Sequence, residues 1–187
     1  MAQIGWQIDL RRCTGCKGCT VACIMENATE PTVHFRDVIT RDSGVFPNYR
    51  RLFVSMSCNH CAEPACLKSC PVGAIEKRPA DDPVAPGAVL INQDTCVGCR
   101  HCETVCPYRA PRFNKTTQKM LKCTMCIHRL QQGWRPACET TCVGKAIRAF
   151  IPGDADLPET YDVNGPVPED FANPHYTHPS IRFVMLP

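Results

Sequence analysis

Short apolar runs punctuate this 187-residue chain, and most of them read as strands. GAIEKR (73–78) and GAVLIN (87–92) predict two short strands around the loop PADDPVAP. GWQIDL (5–10) and KAIRAF (145–150) predict a second pair, one near each end of the chain. GVFPNYRRLFVSM (44–56) suggests a strand or hairpin. Residues 151–187 hold seven of the seventeen prolines and show little periodicity, so a mobile or extended tail is expected. Its apolar end, IRFVMLP, favours docking along a partner subunit. No run approaches the eighteen or so apolar residues that cross a bilayer, so the expected chain is soluble or peripheral with no membrane span of its own.

Between these runs lie sixteen cysteines in four quartets. The first, CTGCKGCTVAC, places Cys13, Cys16, Cys19 and Cys23 within eleven residues. Neighbours two residues apart rarely offer the geometry of an unstrained disulfide. The spacing is that of bacterial ferredoxins, in which three cysteines grip one 4Fe–4S cluster and the fourth serves a neighbouring cluster. Cys58, Cys61, Cys66 and Cys70 form the second quartet, Cys96, Cys99, Cys102 and Cys106 the third, and Cys123, Cys126, Cys138 and Cys142 the fourth. Sixteen thiolates fill four clusters with none left over. Without cysteine the apolar share falls from 44% to roughly 35%, a thin core for this length. The clusters are therefore expected to staple the fold.

The quartets repeat in two types. IDLRRCTGC, from Ile8, matches INQDTCVGC, from Ile91, and PACLKSC, from Pro64, matches PACETTC, from Pro136. A two-cluster module needs one quartet of each type. Quartets two and three follow each other directly, which leaves quartets one and four for a second module that encloses the first. The expected fold is α+β: two bacterial-ferredoxin-like modules, one inserted in the other, with short β hairpins, short helices and a long irregular tail. The outer module spans 1–57 and 107–150, the inserted module 58–106, and the tail 151–187. The x3 spacing before each fourth cysteine rises about 6 Å, one helical turn, toward the neighbouring cluster. The ligand sets expected from this are Cys13, Cys16, Cys19 and Cys142 for cluster one, and Cys23, Cys123, Cys126 and Cys138 for cluster two. Cys58, Cys61, Cys66 and Cys106 would hold cluster three, and Cys70, Cys96, Cys99 and Cys102 cluster four. Pro71 and Pro107 turn the chain out after their quartets, whereas Cys23 and Cys142 lack that proline.

Other residues near the loops read more plainly. Gly15, Gly18 and Gly98 let backbone N–H groups approach inorganic sulfide or simply serve turns. His60, His101 and His128 read as surface or satisfied histidines, because every cluster already has four thiolates. Lys17, Arg100 and Lys122 read as solvated surface charges near the clusters. The formal charge of +3 belongs to the apoprotein, and sixteen thiolates with four oxidised clusters carry it to roughly −5, which gives nucleic-acid binding little support. MAQIGWQIDLRR is too short and polar for a signal peptide, and Arg11-Arg12 runs straight into Cys13 with no apolar segment. That favours the cytoplasm, with export to the periplasm beside a twin-arginine partner as the alternative.

Taken together, the four quartets and the x11 gap from Cys126 to Cys138 resemble the four-cluster ferredoxin subunit of the dimethyl sulfoxide reductase family, which includes polysulfide reductase. The resemblance covers residues 5–150. It implies a non-catalytic relay of single electrons between a molybdenum or tungsten pterin subunit and a second redox partner, either a quinone- or haem-linked membrane subunit or a flavin subunit. It also implies that cluster one faces the catalytic subunit and cluster four lies distal. Some relatives hold a three-iron cluster where a third-quartet cysteine is replaced, and Cys99 argues against that here. A zinc-binding interaction module is the alternative, opposed by three cysteines within one seven-residue loop. A self-contained enzyme finds no radical-enzyme cysteine triplet, nucleotide-binding glycine loop or acid–base pair.

Overall fold

A computed structural model describes residues 2–186; Met1 and Pro187, the ends of the expected outer module and tail, lie outside the described residues. The architecture is α+β, made of small sheets and short helices. β1 (Gly5–Asp9) is the centre of a three-stranded sheet. On one side it pairs antiparallel with β8 (Ile147–Phe150), setting Trp6 opposite Ala149 and Ile8 opposite Ile147. On the other it pairs parallel with β9 (Ile181–Val184), setting Trp6 opposite Ile181 and Ile8 opposite Phe183. Ile4, Trp6 and Ile8 are essentially inaccessible, because both edges and both faces of β1 are covered.

The remaining strands form three hairpins. β2 (Arg36–Ser43) and β3 (Arg50–Ser57) make the longest, so the run before Cys58 is the second arm of a hairpin that begins at Arg36. β4 (Ile75–Lys77) and β5 (Val89–Ile91) bracket the loop PADDPVAP. Asp82 organises that loop, its carboxylate accepting from the backbone N–H groups of Val84 and Ala85 at 2.9 and 2.7 Å and from Arg78 Nε at 2.7 Å. β6 (Arg112–Asn114) and β7 (Lys119–Leu121) lead into the fourth quartet.

Five helices each carry cysteines or adjoin them: α1 (Gly18–Asn27), α2 (Ala65–Lys68), α3 (His101–Val105), α4 (Ile127–Leu130) and α5 (Ala137–Thr140). α1 packs against α5 and α2 against α3. Four of the five have only four or five residues, too short to persist without tertiary anchorage. Among the described residues no helix is long and apolar enough to cross a membrane. The apolar core is correspondingly interleaved with thiols. Cys19, Cys23, Cys58, Cys123 and Cys138 are buried among Ile4, Trp6, Ile8, Val38 and Val54, and a second, smaller cluster combines Cys96 and Cys102 with Ile75, Val89 and Met120.

The tail is irregular over most of its length and ordered at its end. Residues 151–173 are irregular, and the apolar end forms a strand that pairs with its own chain. Unpaired, the second edge of β1 would leave backbone donors and acceptors exposed above a buried core. β9 covers it, with Trp6 N–H donating to Ser180 O and Leu10 N–H to Val184 O, each at 2.9 Å. Ile181 and Phe183 face inward, 6% and 5% exposed, while Arg182 points out. Just upstream, Ser180 donates to the carbonyls of Asn59 and His60, and Tyr108 meets Thr177 at 3.0 Å and stacks on Phe171 with ring centroids 5.0 Å apart. Deleting residues 174–187 removes the burial of Ile181 and Phe183, worth about 3–6 kcal/mol. The melting temperature of the isolated holoprotein is then expected to fall on the order of 10 °C, with iron lost on purification. Differential scanning calorimetry with iron assay reads both, and an unchanged Tm with full iron would mean that the tail has no role in holding its own fold.

Candidate metal centres

Each quartet begins with the same backbone device. The residue two positions after the first cysteine is left-handed in all four: Gly15 (φ +72°), His60 (+46°), Gly98 (+69°) and Met125 (+56°). That conformation curls the loop so that successive thiols turn toward one point, and it is uncommon for residues with a side chain. Glycine is required in quartets one and three, because a Cβ at Gly15 would run into the Phe53 ring and one at Gly98 into the Gln118 carbonyl. Gly18 meets no such crowding and simply opens α1.

The loops and helices bring cysteines from distant segments together. Cys13, Cys16 and Cys19 share a cavity with Cys142, lined also by Val38, Ser55 and Ile147. Cys58, Cys61 and Cys66 share another with Cys106. Cys96, Cys99 and Cys102 share a third with Cys70. The other four thiols sense one another. Burial pushes Cys23 up to about 12, with Cys138 and Cys126 adding to the effect. Burial likewise drives Cys123 far above the ordinary thiol value, with Cys23 and Cys126 adding to it.

The fourth cysteine of three quartets accepts a hydrogen bond from four residues downstream. Ala74 N–H donates to Cys70 Sγ at 3.2 Å, Ala110 to Cys106 at 3.5 Å and Ala146 to Cys142 at 3.2 Å. Pro71 and Pro107 follow their cysteines and end the helical turn, and Cys142 leaves α5 in the same way without a proline. Cys23 differs. With no proline after it, α1 runs on to Asn27, whose side-chain amide points back at Cys23 Sγ at 3.6 Å in place of a backbone donor.

The chemistry of these cavities suits a polynuclear centre. Zinc would draw four thiolates to within about 2.3 Å of one point, yet among the described residues no three His, Cys, Asp or Glu side chains converge closely enough to hold a single ion. The thiols instead ring open space. Asn59 lines the Cys58 cavity with its amide buried, and neither its oxygen nor its nitrogen has a protein partner, leaving a donor available to an inorganic sulfide.

The charged residues sort differently from the sequence reading. Lys17 and Arg100 are exposed as expected, Arg100 pairing with Glu103 at 2.8 Å. His101 is exposed and His128 pairs with Glu26 at 2.8 Å. His60 is completely buried; its Nδ1 accepts from Val89 N–H at 3.1 Å, and burial, aided by the Lys122 ammonium, holds its pKa well below the ordinary value, so it is neutral. Lys122 is a correction, since it is 3% exposed rather than solvated. Its ammonium donates to Cys58 Sγ at 3.3 Å, to the Cys123 carbonyl at 3.2 Å and to the Val89 carbonyl.

Sequence patterns did not single out Arg36. It is 2% exposed, lies 4.2 Å over the Trp6 ring and donates to Ser55 Oγ at 3.1 Å and Ser57 Oγ at 2.9 Å. Burial works against its charge, but Cys138, Cys123, Cys19 and Cys23 outweigh that and raise its pKa. The available signal is period-two alternation. Arg36 shares a strand face with buried Val38, and Lys122 continues the face of buried Met120.

Comparison with known proteins agrees with this chemistry. Two matches to 4Fe-4S dicluster domain families cover residues 49–150 and 12–75. The chain is similar to a component of the anaerobic dimethyl sulfoxide reductase of Escherichia coli (strain K12), at 38% identity over 96% of this chain and 87% of that protein. The counterpart in the Haemophilus influenzae dimethyl sulfoxide reductase is 35% identical over 100% of this chain and 93% of its own length. The iron-sulfur subunit of the arsenate respiratory reductase of Shewanella sp. (strain ANA-3) is 31% identical over 84% of this chain and 84% of its own. The chain carries four 4Fe–4S clusters, and it belongs to the family of iron–sulfur subunits that relay electrons for molybdopterin oxidoreductases without a catalytic site of their own.

Proposed function

We propose that the chain is a four-cluster wire between a molybdenum or tungsten pterin subunit and a second redox subunit, either flavin-bearing or a quinone- or haem-linked membrane protein. The observation that carries this reading is the distribution of exposure. Of the sixteen cysteines only Cys16 and Cys99 are exposed, one in the cavity assigned to cluster one and the other in that assigned to cluster four. A storage or structural site needs no exposed ligand at both ends, whereas a wire must present one to each partner.

Three cavities support three of the ligand sets: Cys13, Cys16, Cys19 and Cys142 for cluster one; Cys58, Cys61, Cys66 and Cys106 for cluster three; Cys70, Cys96, Cys99 and Cys102 for cluster four; the mutual influence of the remaining thiols supports Cys23, Cys123, Cys126 and Cys138 for cluster two. Helix pairing supports the crossover. α1 supplies Cys19 to one cluster and Cys23 to the next, while its partner α5 and the turn after it supply Cys138 and Cys142 in the opposite sense. α2 and α3 do the same with Cys66 and Cys70 against Cys102 and Cys106. The antiparallel pairs β1–β8 and β4–β5 support the reading of an inner module, 58–106, inserted in an outer one made of 1–57 and 107–150. Lys122, joined to Cys123 by a peptide bond and touching Cys58, supports adjacency of clusters two and three. The resulting order is one, two, three, four.

The clusters supply reversible one-electron chemistry; the protein's residues hold them in line, exclude water from the middle of the path and leave its ends open. Native purification with metal analysis tests the partner claim, with molybdenum or tungsten expected in the isolated complex. A chain that always purifies alone would sink it. Cys70→Ser tests the ligand sets. It is expected to lower iron from about sixteen to about twelve per chain, or to leave a damaged cluster at Cys96, Cys99 and Cys102, with the Cys58 cluster intact by Mössbauer and EPR spectroscopy. Loss confined to the Cys58 cluster would refute the crossover.

A further inference from the structure

Two cations lie deep inside the chain without a carboxylate. Among the described residues the Arg36 guanidinium is partnered by the two serines, the Ser55 carbonyl, the Trp6 ring and the Cys138 thiol, and its Nε has no hydrogen-bond partner. Lys122 donates to two carbonyls and to Cys58 Sγ. A buried charge without a counter-ion is strongly destabilising, so each must be balanced by something anionic nearby. Thiols are the groups around them that can take that role. Arg36 is surrounded by Cys138, Cys123, Cys19 and Cys23, three of which belong to the set proposed for cluster two. Lys122 touches Cys58 and acts on Cys66 and Cys106, all in the set proposed for cluster three.

The outer positions are built differently. The charges near cluster one and cluster four, Lys17 and Arg100, are exposed, and Arg100 is already paired with Glu103. Solvent screens such charges, whereas a cation fixed in a dry interior keeps its full effect on its neighbours.

We infer that Arg36 and Lys122 set the potentials of the two inner clusters, Arg36 acting on cluster two and Lys122 on cluster three, each making its cluster easier to reduce. The inference rests on the ligand sets above. Reduction adds one electron, supplied by the neighbouring redox centre, to a site already made anionic by four thiolates. A fixed positive charge in contact with a ligand sulfur favours the reduced state more than the oxidised one, and so raises the potential. Both residues act through their charge and positioning and transfer no electron themselves. Their placement keeps the middle of the wire from becoming a barrier, since inner clusters shielded from water would otherwise be the hardest to reduce.

EPR-monitored redox titration of the intact holocomplex tests this with Lys122→Gln, Lys122→Arg, Arg36→Gln and Arg36→Lys. At the ambient potential that half-reduces an inner cluster in the native protein, each neutral variant is expected to lower the reduced-to-oxidised ratio at least tenfold, about 59 mV for a one-electron couple. Lys122→Arg and Arg36→Lys restore the native ratio to within about threefold, a shift of less than about 30 mV on the same scale, and Arg100→Gln leaves all four potentials unchanged. If one neutral variant fails to keep its cluster, the other reads the same quantity at the other inner cluster. Unchanged inner potentials, equal shifts in all four clusters, a shift confined to an outer cluster, or loss of iron from both neutral variants would each overturn the inference. The Cys70→Ser experiment tests the ligand sets separately, so the two failures are distinguishable.

Discussion

In the proposed ligand sets each cluster is gripped by thiolates from two separate stretches of chain, and the rest of the structure is consistent with that requirement. A quartet can curl three cysteines around one point, but the fourth stands a helical turn away and reaches only the next point along. Two quartets of opposite sense therefore have to meet side by side. Their helices pack in pairs, α1 on α5 and α2 on α3, with sequence separations of more than a hundred residues in the first pair and about thirty-five in the second. The strands serve the same end: β1 and β8 join the first quartet to the last, while β4 and β5 join the second to the third. Helices this short and hairpins of three-residue strands would not hold without the metal centres that tie them together.

The same convergence creates an electrostatic problem. Burial, reinforced by neighbouring thiols, pushes Cys61 and Cys66 up to about 12 and Cys102 and Cys138 up to about 11. In the absence of iron these groups keep their protons, because a dry cavity does not tolerate several thiolates at once. Cluster assembly must displace those protons, and the anionic site it leaves is stabilised by whatever positive charge and N–H groups the fold has aimed at it. Backbone N–H groups serve Cys70, Cys106 and Cys142, an asparagine amide serves Cys23, and Lys122 serves Cys58. A fold that buries cysteine in place of leucine needs these donors as much as it needs packing.

Much of this is legible in the sequence because the ligand chemistry is written in spacing. The quartets, their two alternating types and the paired runs GAIEKR and GAVLIN are all local patterns, and local patterns survive without knowledge of the fold. The residues that escape such a reading depend on long-range placement. Lys122 stands beside a cysteine like many surface lysines, and only the approach of Cys58, sixty-four residues away, makes it a buried cation. Arg36 sits in a hairpin whose strand alternation places it on the face of buried Val38, but a charged residue at an inward position contradicts the ordinary pattern, so the alternation alone does not mark it as buried. The tail's composition suggests a segment waiting for a partner, yet its apolar pair Ile181 and Phe183 has an edge of β1 to cover within the same chain.

The parallel pairing of β9 on β1 has a further consequence. β1 ends at Asp9, four residues before Cys13, while the turn before β9 hydrogen-bonds to the Asn59–His60 backbone between Cys58 and Cys61. One short strand thus links the loop of the first quartet to the loop of the second, and Thr177 lines the Cys58 cavity itself. Trp6 makes the same connection from the other direction, its indole N–H donating to the Cys58 carbonyl at 3.1 Å while its face carries Arg36. A displacement of β1 would therefore be felt at more than one cluster at once. Electron transfer asks that the centres keep fixed separations, and a tryptophan clamped between a guanidinium, a cluster loop and two strands supplies that rigidity where the apolar core alone is too thin to do so.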